Sequence, residues 1–433
     1  MAEIVTKENK LLEEKYFKFK HFSGLDVYVI PKKMTTSYAI FATRYGAIDN
    51  KFKLDTDDTF TEVPDGIAHF LEHKMFECEG GIDAFELYAK TGANANAFTT
   101  NTLTAYIFSC TENFNESLEI LLDFVTHPYF TKKSVQKEQG IIGQEIRMYD
   151  DHPGARLNKG LLQALYKHNK MRIDVAGTIE SIAQIDAEIL YKCYNTFYNL
   201  NNMALCICGD VNVDEVEKVC DKVLKVAPKL NIIRDYEYEN EPKEVYQKRS
   251  ICYLDVAKPI FAIGIKDMNI PSAPNERIKK AYAIDILDEM LFSQSTKFYN
   301  DLYEQNLISQ SFSSGCEHTK HCSFNSISSE SSDPEKVYNL FVDYIEKTKR
   351  EGLCAEDFEL AKRTVFASHI KNFDSVENIA DDFIFALFDD ADLLDEPEII
   401  SSITFEYVSE LLNELFKEEY YAMSIVYPSN EEE

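Results

Sequence analysis

Long hydrophobic runs are missing from this sequence, and so is an apolar leader. Nowhere in its 433 residues does an apolar stretch approach the ~20 residues that a membrane-spanning helix needs. The opening segment, MAEIVTKENKLLEEKYFK, is rich in charged residues and lacks the apolar region of a secretory signal peptide. We therefore expect a cytoplasmic protein that does not associate with membranes.

Positive charge is also in short supply. Lysine and arginine number 45 against 74 aspartates and glutamates, which gives a formal net charge of -29. A chain this acidic repels phosphate backbones and anionic lipid headgroups, so nucleic acid is not an expected partner. Two interpretations of the charge stay open: a solvated acidic surface, or an acidic cavity that attracts basic peptides.

The ten cysteines lack the spacing that a disulfide framework produces. Several lie in apolar, strand-like runs such as ALCICG, and in a reducing compartment we expect free, mostly buried thiols. One dense cluster stands apart, because seven residues hold four potential metal ligands: Cys316, His318, His321 and Cys322. Its spacing fits no standard zinc pattern, and binding of a second metal there is left open.

The length of the chain suits two domains of about 200 residues each. The first half ends on the apolar strand MALCICGD, and a similar order of elements follows a charged, turn-rich stretch and ends on YYAMSIVY. We predict an N-terminal domain at 1–230, a linker at 231–250 and a related C-terminal domain at 251–433. The predicted fold class is α+β, with two related halves that are each an antiparallel sheet covered by helices.

The segment GIAHFLEH, residues 66–73, holds the most informative pattern. Pro64 before it and Gly80-Gly81 beyond it predict a helix here. On that helix, His69 and His73 share one face, so two imidazole nitrogens can bind one Zn²⁺ at ~2.0–2.1 Å. Glu72 lies close by and can take a proton from a water that zinc makes more acidic. This His-x-x-Glu-His order is the reverse of the commoner zincin motif.

Chance could place such a trio on a solvated helix face, because short motifs carry a real risk of false matches. The neighbours decide between the two alternatives, since Phe70, Leu71 and Met75 make the helix largely apolar. Buried ionisable groups need partners, and a metal ion supplies one. We therefore interpret the motif as a metal site.

A catalytic zinc site needs a third protein ligand and an open position for water. The segment EQGIIGQEI, residues 138–146, offers Glu138 and Glu145, two helical turns apart on one face and beside an apolar stripe. By pattern alone, paired glutamates suit a solvated stripe of a helix equally well. The residues by themselves leave the third ligand open.

Three separated motifs resemble those of the pitrilysin/insulinase family of inverted-motif zinc peptidases. They are GIAHFLEHKMFE, GANANAFTTNTLTAYIFS and KEQGIIGQEI, in the order that the family has them. A fourth segment, HNKMRIDVAGTIESIAQI, fits the family pattern His-x(n)-Gly-Thr-x-x-Ser. The resemblance covers nearly the whole chain and is greatest to short, single-cassette bacterial members that are similar to processing peptidases.

The resemblance implies a role for each residue of the metal site. His69, His73 and Glu145 would ligate zinc. Glu72 would be the general base, and Glu138 would be a second carboxylate that orients a ligand.

The resemblance also implies a place for the substrate. Asn96 and Ala97 fall where the family uses an edge strand to hold the substrate peptide by main-chain hydrogen bonds. An exposed edge suits this task because its N–H and C=O groups are unpaired. Without the resemblance, an ordinary hairpin strand explains these residues as well.

The family fold implies two chains or cassettes that close into a chamber. One carries zinc, and the facing one supplies an arginine and a tyrosine that bind the peptide carbonyl in the transition state. Here the sequence departs from the pattern, since Tyr303 stands at the arginine position and Ser309 or Gln310 at the tyrosine position. No arginine lies between Arg277 and Arg350. A homodimer is possible, but we expect a heterodimer with a zinc-less paralogous subunit that supplies the missing pair.

Residues and resemblance together predict a zinc metallo-endopeptidase that hydrolyses small or unstructured peptides inside a chamber. The alternative is a non-hydrolytic role as the zinc-bearing subunit of a protein-processing or modification complex. The missing arginine and tyrosine keep the alternative open. The intact motif favours the enzyme, since a scaffold has no need for Glu72.

Overall fold

A computed structural model of the chain describes residues 3–236 and 240–429. The strands up to residue 236 are β1 (Ile4–Asn9), β2 (Glu14–Lys20), β3 (Asp26–Pro31), β4 (Ser37–Thr43), β5 (Lys51–Leu54), β6 (Thr61–Glu62), β7 (Asn94–Thr99), β8 (Thr104–Cys110), β9 (Met203–Gly209) and β10 (Ile232–Arg234). The α-helices over the same range are α1 (Ile67–Met75), α2 (Ala84–Thr91), α3 (Phe114–Thr126), α4 (Lys132–Asp150), α5 (Pro153–Leu165), α6 (Ile179–Ile182), α7 (Ala187–Phe197) and α8 (Val213–Val223).

The second half of the chain repeats this mixture of strands and helices. Its strands are β11 (Arg249–Leu254), β12 (Ile260–Lys266), β13 (Ser313–His318), β14 (Ser323–Glu330) and β15 (Tyr421–Pro428). Its α-helices are α9 (Pro274–Phe292), α10 (Lys297–Glu304), α11 (Pro334–Glu351), α12 (Ala355–Asn372), α13 (Val376–Phe388), α14 (Glu396–Ser402) and α15 (Phe405–Leu415).

The described residues form two compact units. The first consists of the chain up to Ile146, of Ile173–Tyr236 and of Asn372–Leu394. The second consists of Arg147–Arg172 and of the remaining described residues. Each unit thus includes one segment from the other half of the sequence. The predicted domain boundaries, 1–230 and 251–433, stay a prediction, and the compact units differ from them by these two exchanged segments.

The main sheet of the first unit has the strand order β1-β2-β3-β9-β4-β8-β7, and a small second sheet has the order β10-β5-β6. Neighbouring strands are antiparallel except for the parallel pair β3 and β9. All residues of the central strands β4 and β9 are buried, because helices cover both faces of the sheet. One face packs on α1, α3 and α7. The other packs on α13, which belongs to the segment Asn372–Leu394 that this unit takes from the second half of the sequence. Strand β7 lies at the end of this order and is therefore an edge strand.

The sheet of the second unit has the order β11-β15-β12-β14-β13. Its strands are antiparallel except for the parallel pair β11 and β15. Helix α9 contributes to the core on one face, and the exchanged helix α5 packs against β12 and β15. Gly264 permits this close packing, since a Cβ there would lie 2.8 Å from a methyl carbon of Leu161. Two mostly antiparallel sheets with helices on them confirm the predicted α+β fold.

The predicted linker at 231–250 begins with ordered structure. Strand β10 pairs antiparallel with β5. The Arg234 side chain on β10 donates a 2.7 Å hydrogen bond from Nε to the buried carboxylate of Asp49. This part of the linker is thus fixed to the first unit, while residues 237–239 lie outside the described residues.

Within the described ranges, no helix combines the length and the apolar composition that crossing a bilayer requires.

Candidate metal centre

Two glycines bring the start of helix α1 close to a second segment of backbone. Gly66 precedes the helix with φ of 88°, and a Cβ there would lie 2.4 Å from the carbonyl oxygen of Ala176. Gly177 makes the reciprocal close approach: its φ is +74°, and a Cβ there would lie 2.5 Å from the carbonyl oxygen of Asp65. The Ser181 hydroxyl donates a 2.8 Å hydrogen bond to the same Asp65 oxygen. The Gly-Thr-x-x-Ser pattern of the sequence therefore braces the start of this helix.

Helix α1 is largely apolar and has one polar face. Phe70, Leu71 and Met75 are at most 1% exposed and pack in the core of the first unit. The side chains of His69 and His73 are 12% and 24% exposed, so they lie at the boundary of the core. The helix ends at Met75, before Gly80-Gly81.

His69, His73 and Glu145 converge. The distance from His69 Nε2 to Glu145 Oε1 is 3.7 Å, and that from His73 Nε2 to Glu145 Oε2 is 3.4 Å. Helix α4 supplies Glu145, held in place by the buried residues Ile142 and Ile146 on either side of it. In the described part of the chain, these three residues are the one group of His, Cys, Asp and Glu whose ligand atoms all lie within 4.8 Å of one another.

The two imidazoles have different electrostatic surroundings. Burial, together with the charge of His73, lowers the pKa of His69 to about 3, so this ring stays neutral and keeps a lone pair for a ligand. Burial also lowers the pKa of His73, but the hydrogen bond to Glu138 and the nearby carboxylates outweigh it and raise the pKa overall. A positive charge at this point is thus favoured, whether it comes from a proton or from a metal ion.

Glu138 lies behind His73. Its Oε1 is 3.2 Å from His73 Nδ1, which leaves Nε2 of the ring facing Glu145. A carboxylate that accepts a hydrogen bond from Nδ1 fixes the tautomer and the ring orientation. Its position matches the orienting role that the resemblance implies.

Glu72 is buried beside the trio. Its residue is 7% exposed, and its Oε2 accepts a 2.7 Å hydrogen bond from the hydroxyl of Thr99 on β7. Burial raises the pKa of Glu72, although the hydrogen bond from Thr99 lowers it in part. A carboxylate with a raised pKa accepts a proton more readily, as a general base must.

The donor set fits zinc. Two imidazoles and one carboxylate are the ligands of many catalytic zinc sites, and their bonds of ~2.0–2.2 Å place neighbouring donor atoms about 3.3–3.6 Å apart in a tetrahedron. The two His–Glu145 separations of 3.4 and 3.7 Å are close to this requirement. All three donor atoms lie within 4.8 Å of one another, so the residues present fit a zinc ion.

Comparison with known proteins identifies relatives of this chain. A family model described as "Insulinase (Peptidase family M16)" matches residues 60–179, and one described as "Peptidase M16 inactive domain" matches residues 184–365. YmfH of Bacillus subtilis, named as an uncharacterized zinc protease, is 39% identical over 415 residues, which are 94% of this chain and 95% of YmfH.

The chain belongs to the insulinase family, peptidase family M16. An M16-like peptidase from Alicyclobacillus acidocaldarius has the same fold, with a TM-score of 0.91 and 31% identity over 98% of this chain and all of that one (100%). Pitrilysin matches at a TM-score of 0.75 and 15% identity, over 99% of this chain but 47% of its own. At that identity the likeness shows the fold alone, and this M16 chain spans about half the length of pitrilysin.

The edge strand of this M16 chain bears the two predicted substrate-binding residues. Asn96 is exposed, and its side-chain oxygen accepts a 2.9 Å hydrogen bond from the Ala97 N–H. That N–H is thus already paired with a side chain of its own strand. Two residues further on, Thr99 contacts Glu72, so the same strand passes directly beside the buried carboxylate.

The Cys-His cluster of the second half does not gather as a metal site. Cys316 and His318 lie on strand β13, where the Cys316 thiol is 3.5 Å from Asp285 and His318 Nδ1 contacts the Ser323 hydroxyl. Strand geometry explains this, because four ligands so close in sequence converge only in a loop. Across residues 3–236 and 240–429 these side chains are absent from any metal-compatible group.

Two residues of the M16 site were missed from the sequence. Thr99 is the hydrogen-bond donor to Glu72, and Lys74 is a fully buried lysine that contacts Glu77 and lies 3.9 Å from Glu138. A lysine within the apolar run of this helix is a usable signal, because a buried ammonium needs carboxylates nearby. Thr99 has no comparable signal, since threonine is common in any strand.

Proposed function

We propose that this chain is a zinc metallo-endopeptidase whose metal is held by His69, His73 and Glu145. The observation that carries the proposal is the convergence of these three donors within 4.8 Å, beside the buried carboxylate of Glu72. The naming of YmfH as a zinc protease supports the same conclusion. When bound, zinc supplies a Lewis acid that polarises the peptide carbonyl and makes water more acidic.

The residues around the metal carry out the proton transfers. Glu72 takes a proton from the attacking water and passes it to the leaving amine, since one carboxylate can be base and then acid. Thr99 holds the carboxylate of Glu72 in place by its hydrogen bond. Glu138 keeps His73 oriented, with Nε2 beside Glu145, where it would be available to hold the metal.

The substrate is proposed to lie along strand β7 as an added strand. The edge position of β7 and the exposed Asn96 support this placement, since an edge offers hydrogen-bonding groups to an extended peptide. Such a peptide must be extended, so small or unstructured peptides are the proposed substrates. Its path beside Thr99 would bring a peptide bond near Glu72.

A partner subunit completes the proposed chamber. Tyr303 stands where the family resemblance implies arginine, and it lies on α10 with 41% exposure, stacked on Tyr299. No arginine occurs in the sequence between Arg277 and Arg350. The length of pitrilysin, about twice that of this chain, supports a pairing of two such chains. We propose a zinc-less paralogue as the partner, with a homodimer as the other possibility and the cytoplasm as the location.

Digestion of a peptide mixture tests the partner. The purified chain is incubated alone and then with the paralogue, with and without a chelator, and the products are read by mass spectrometry. Cleavage that needs both chains and stops with chelator is the expected result. Chelator-sensitive cleavage by this chain alone at ordinary turnover rates, about 10 per second, contradicts the need for a partner.

The second candidate is a zinc-bearing subunit without hydrolytic activity, favoured by the absence of the arginine and tyrosine. Glu72→Gln separates the two functions, because it removes the base and leaves the three proposed ligands intact. If the cellular role requires hydrolysis, the variant still binds zinc and assembles normally but no longer supports that cellular role. Survival of the role in this variant favours the non-hydrolytic subunit.

A further inference from the structure

Helix α1 buries a lysine immediately after the second histidine of the motif. Lys74 has no exposed surface. Its position on the helix is one residue beyond His73, so its side chain leaves the helix on a neighbouring face. A buried ammonium is costly unless carboxylates surround it, so its partners indicate its role.

Two carboxylates lie within ion-pair distance of Lys74 Nζ. Glu77, one turn further along the chain, makes the closer contact and is 35% exposed. Glu138, from helix α4, has its Oε2 at 3.9 Å and is 12% exposed. The other oxygen of Glu138, Oε1, faces His73 Nδ1 at 3.2 Å. One carboxylate therefore stands between the lysine and the histidine.

We propose that Lys74 is a positioning residue of the metal centre, which acts through Glu138 on His73. The ammonium holds Glu138 in the orientation that accepts the Nδ1–H of His73, so that Nε2 of His73 is presented beside Glu145. This inference rests on the proposed function, because it assumes that His73 binds a metal ion. It adds a residue outside the His-x-x-Glu-His motif and outside the carboxylates of α4.

A purely structural role is the competing explanation. Lys74 and Glu77 are three residues apart and could simply secure the end of the helix. The two roles differ in what a substitution changes. If Lys74 only secures the end of the helix, its substitution lowers stability and the effect is independent of Glu138. If Lys74 is a positioning residue, its substitution lowers metal affinity and the effect depends on Glu138.

Zinc affinity provides the test, measured by competition with a chromophoric chelator. The set is the wild-type chain, Lys74→Met, Glu138→Gln and the double variant. Loss of an outer partner of a metal-binding histidine weakens metal binding about 10- to 100-fold. We expect the zinc affinity of each single variant to be reduced by this factor. The double variant should bind zinc no more than about twofold more weakly than the weaker of the two single variants, because both substitutions act through one contact.

Three further variants make the result specific. Lys90→Met removes a positive charge from an exposed position on α2 and should keep the wild-type affinity. Glu77→Gln should also stay within about twofold of wild type, because the proposal assigns the metal effect to Glu138. Lys74→Gln replaces Lys74→Met if the latter does not fold, with the same expected loss.

The outcomes separate this inference from the proposed function. Wild-type affinity in Lys74→Met or Lys74→Gln overturns the role of Lys74 while leaving the zinc site intact. Full additivity of Lys74→Met and Glu138→Gln also overturns it, because the lysine then acts elsewhere. If the wild-type chain itself binds no zinc at one equivalent, the proposed function fails and the inference fails with it.

Discussion

The hydroxyl of Thr99 donates a 2.7 Å hydrogen bond to Oε2 of Glu72. The same hydroxyl lies 3.2 Å from that of Thr104, which donates in turn to the carbonyl oxygen of Tyr45. The proposed general base on α1 is thereby tied to the strand that is proposed to bind substrate. One strand therefore contacts the proposed base and also forms the proposed peptide-binding edge.

Thr99→Val should lower kcat by about 10- to 100-fold, because a hydrogen bond to a charged group contributes ~1.5–3 kcal/mol. Valine has nearly the same shape but cannot donate to Glu72. Zinc content should be unchanged, since the partners of the Thr99 hydroxyl are Glu72 and Thr104 and not the three proposed ligands. Thr99→Ser keeps the hydroxyl and is the matched control. A kcat equal to wild type in Thr99→Val contradicts the role of this contact.

Gly177→Ala should destabilise the first unit more than Gly92→Ala. Both glycines have φ near +75°, at +74° and +77°, so both alanines carry similar backbone strain. A Cβ at Gly177 would also lie 2.5 Å from the Asp65 carbonyl oxygen, whereas nothing lies within 4 Å at Gly92. Urea unfolding should give a difference of at least ~1 kcal/mol between the two variants. Equal losses of unfolding free energy in the two variants would mean that the backbone at the start of α1 accommodates a Cβ at position 177 without an energetic penalty.

Glu241→Gln should cost ~3–5 kcal/mol in the free energy of unfolding, because it breaks a buried ion pair. Glu241 and Lys266 are 2% and 0% exposed in their side chains and 2.6 Å apart. Glu241 also accepts hydrogen bonds from the backbone N–H groups of residues 167–169. The control, Asp301→Asn, breaks an exposed pair with Lys297 and should cost less than ~1 kcal/mol. Denaturant unfolding of the two variants compares them directly.

The same carboxylate predicts a pH dependence. Burial raises the pKa of Glu241, but the hydrogen bonds from Lys266 and from residues 167–169 outweigh it and lower the pKa overall. The stabilisation is therefore complete above the ordinary glutamate pKa of 4.5 and is lost as the pH falls through the lowered value. The difference in unfolding free energy between wild type and Glu241→Gln should be constant from pH 7 to about 5 and shrink below that. A constant difference down to pH 3 contradicts this interpretation.

The sequence was most informative where local spacing decides the geometry. His69 and His73 converge because a helix places residues four apart on one face, which needs no tertiary information. Glu145 comes from another helix, and the paired-glutamate pattern left it open until the family resemblance singled it out. Thr99 was missed because a hydrogen bond between segments remote in sequence depends on packing. Lys74 was missed although its place in the apolar run of the helix was a usable signal.

The fold divides in the same way. The apolar run MALCICG predicts the buried strand β9, and the structure places it between β3 and β4. The exchange of α5 and α13 between the units depends on contacts remote in sequence, which periodicity does not record. Strand β10 was missed because three residues are too short for an alternating pattern to be recognised.

Cleavage of a peptide mixture by Glu72→Gln, compared with wild type at equal zinc occupancy, tests the central claim most directly. Both proteins are mixed with the paralogue, their zinc is quantified by mass spectrometry, and products are followed over time. The account predicts one zinc per copy of this chain in both mixtures, and cleavage at least ~100-fold slower with Glu72→Gln than with wild type. Equal cleavage by the two proteins would show that Glu72 is not the general base of this site.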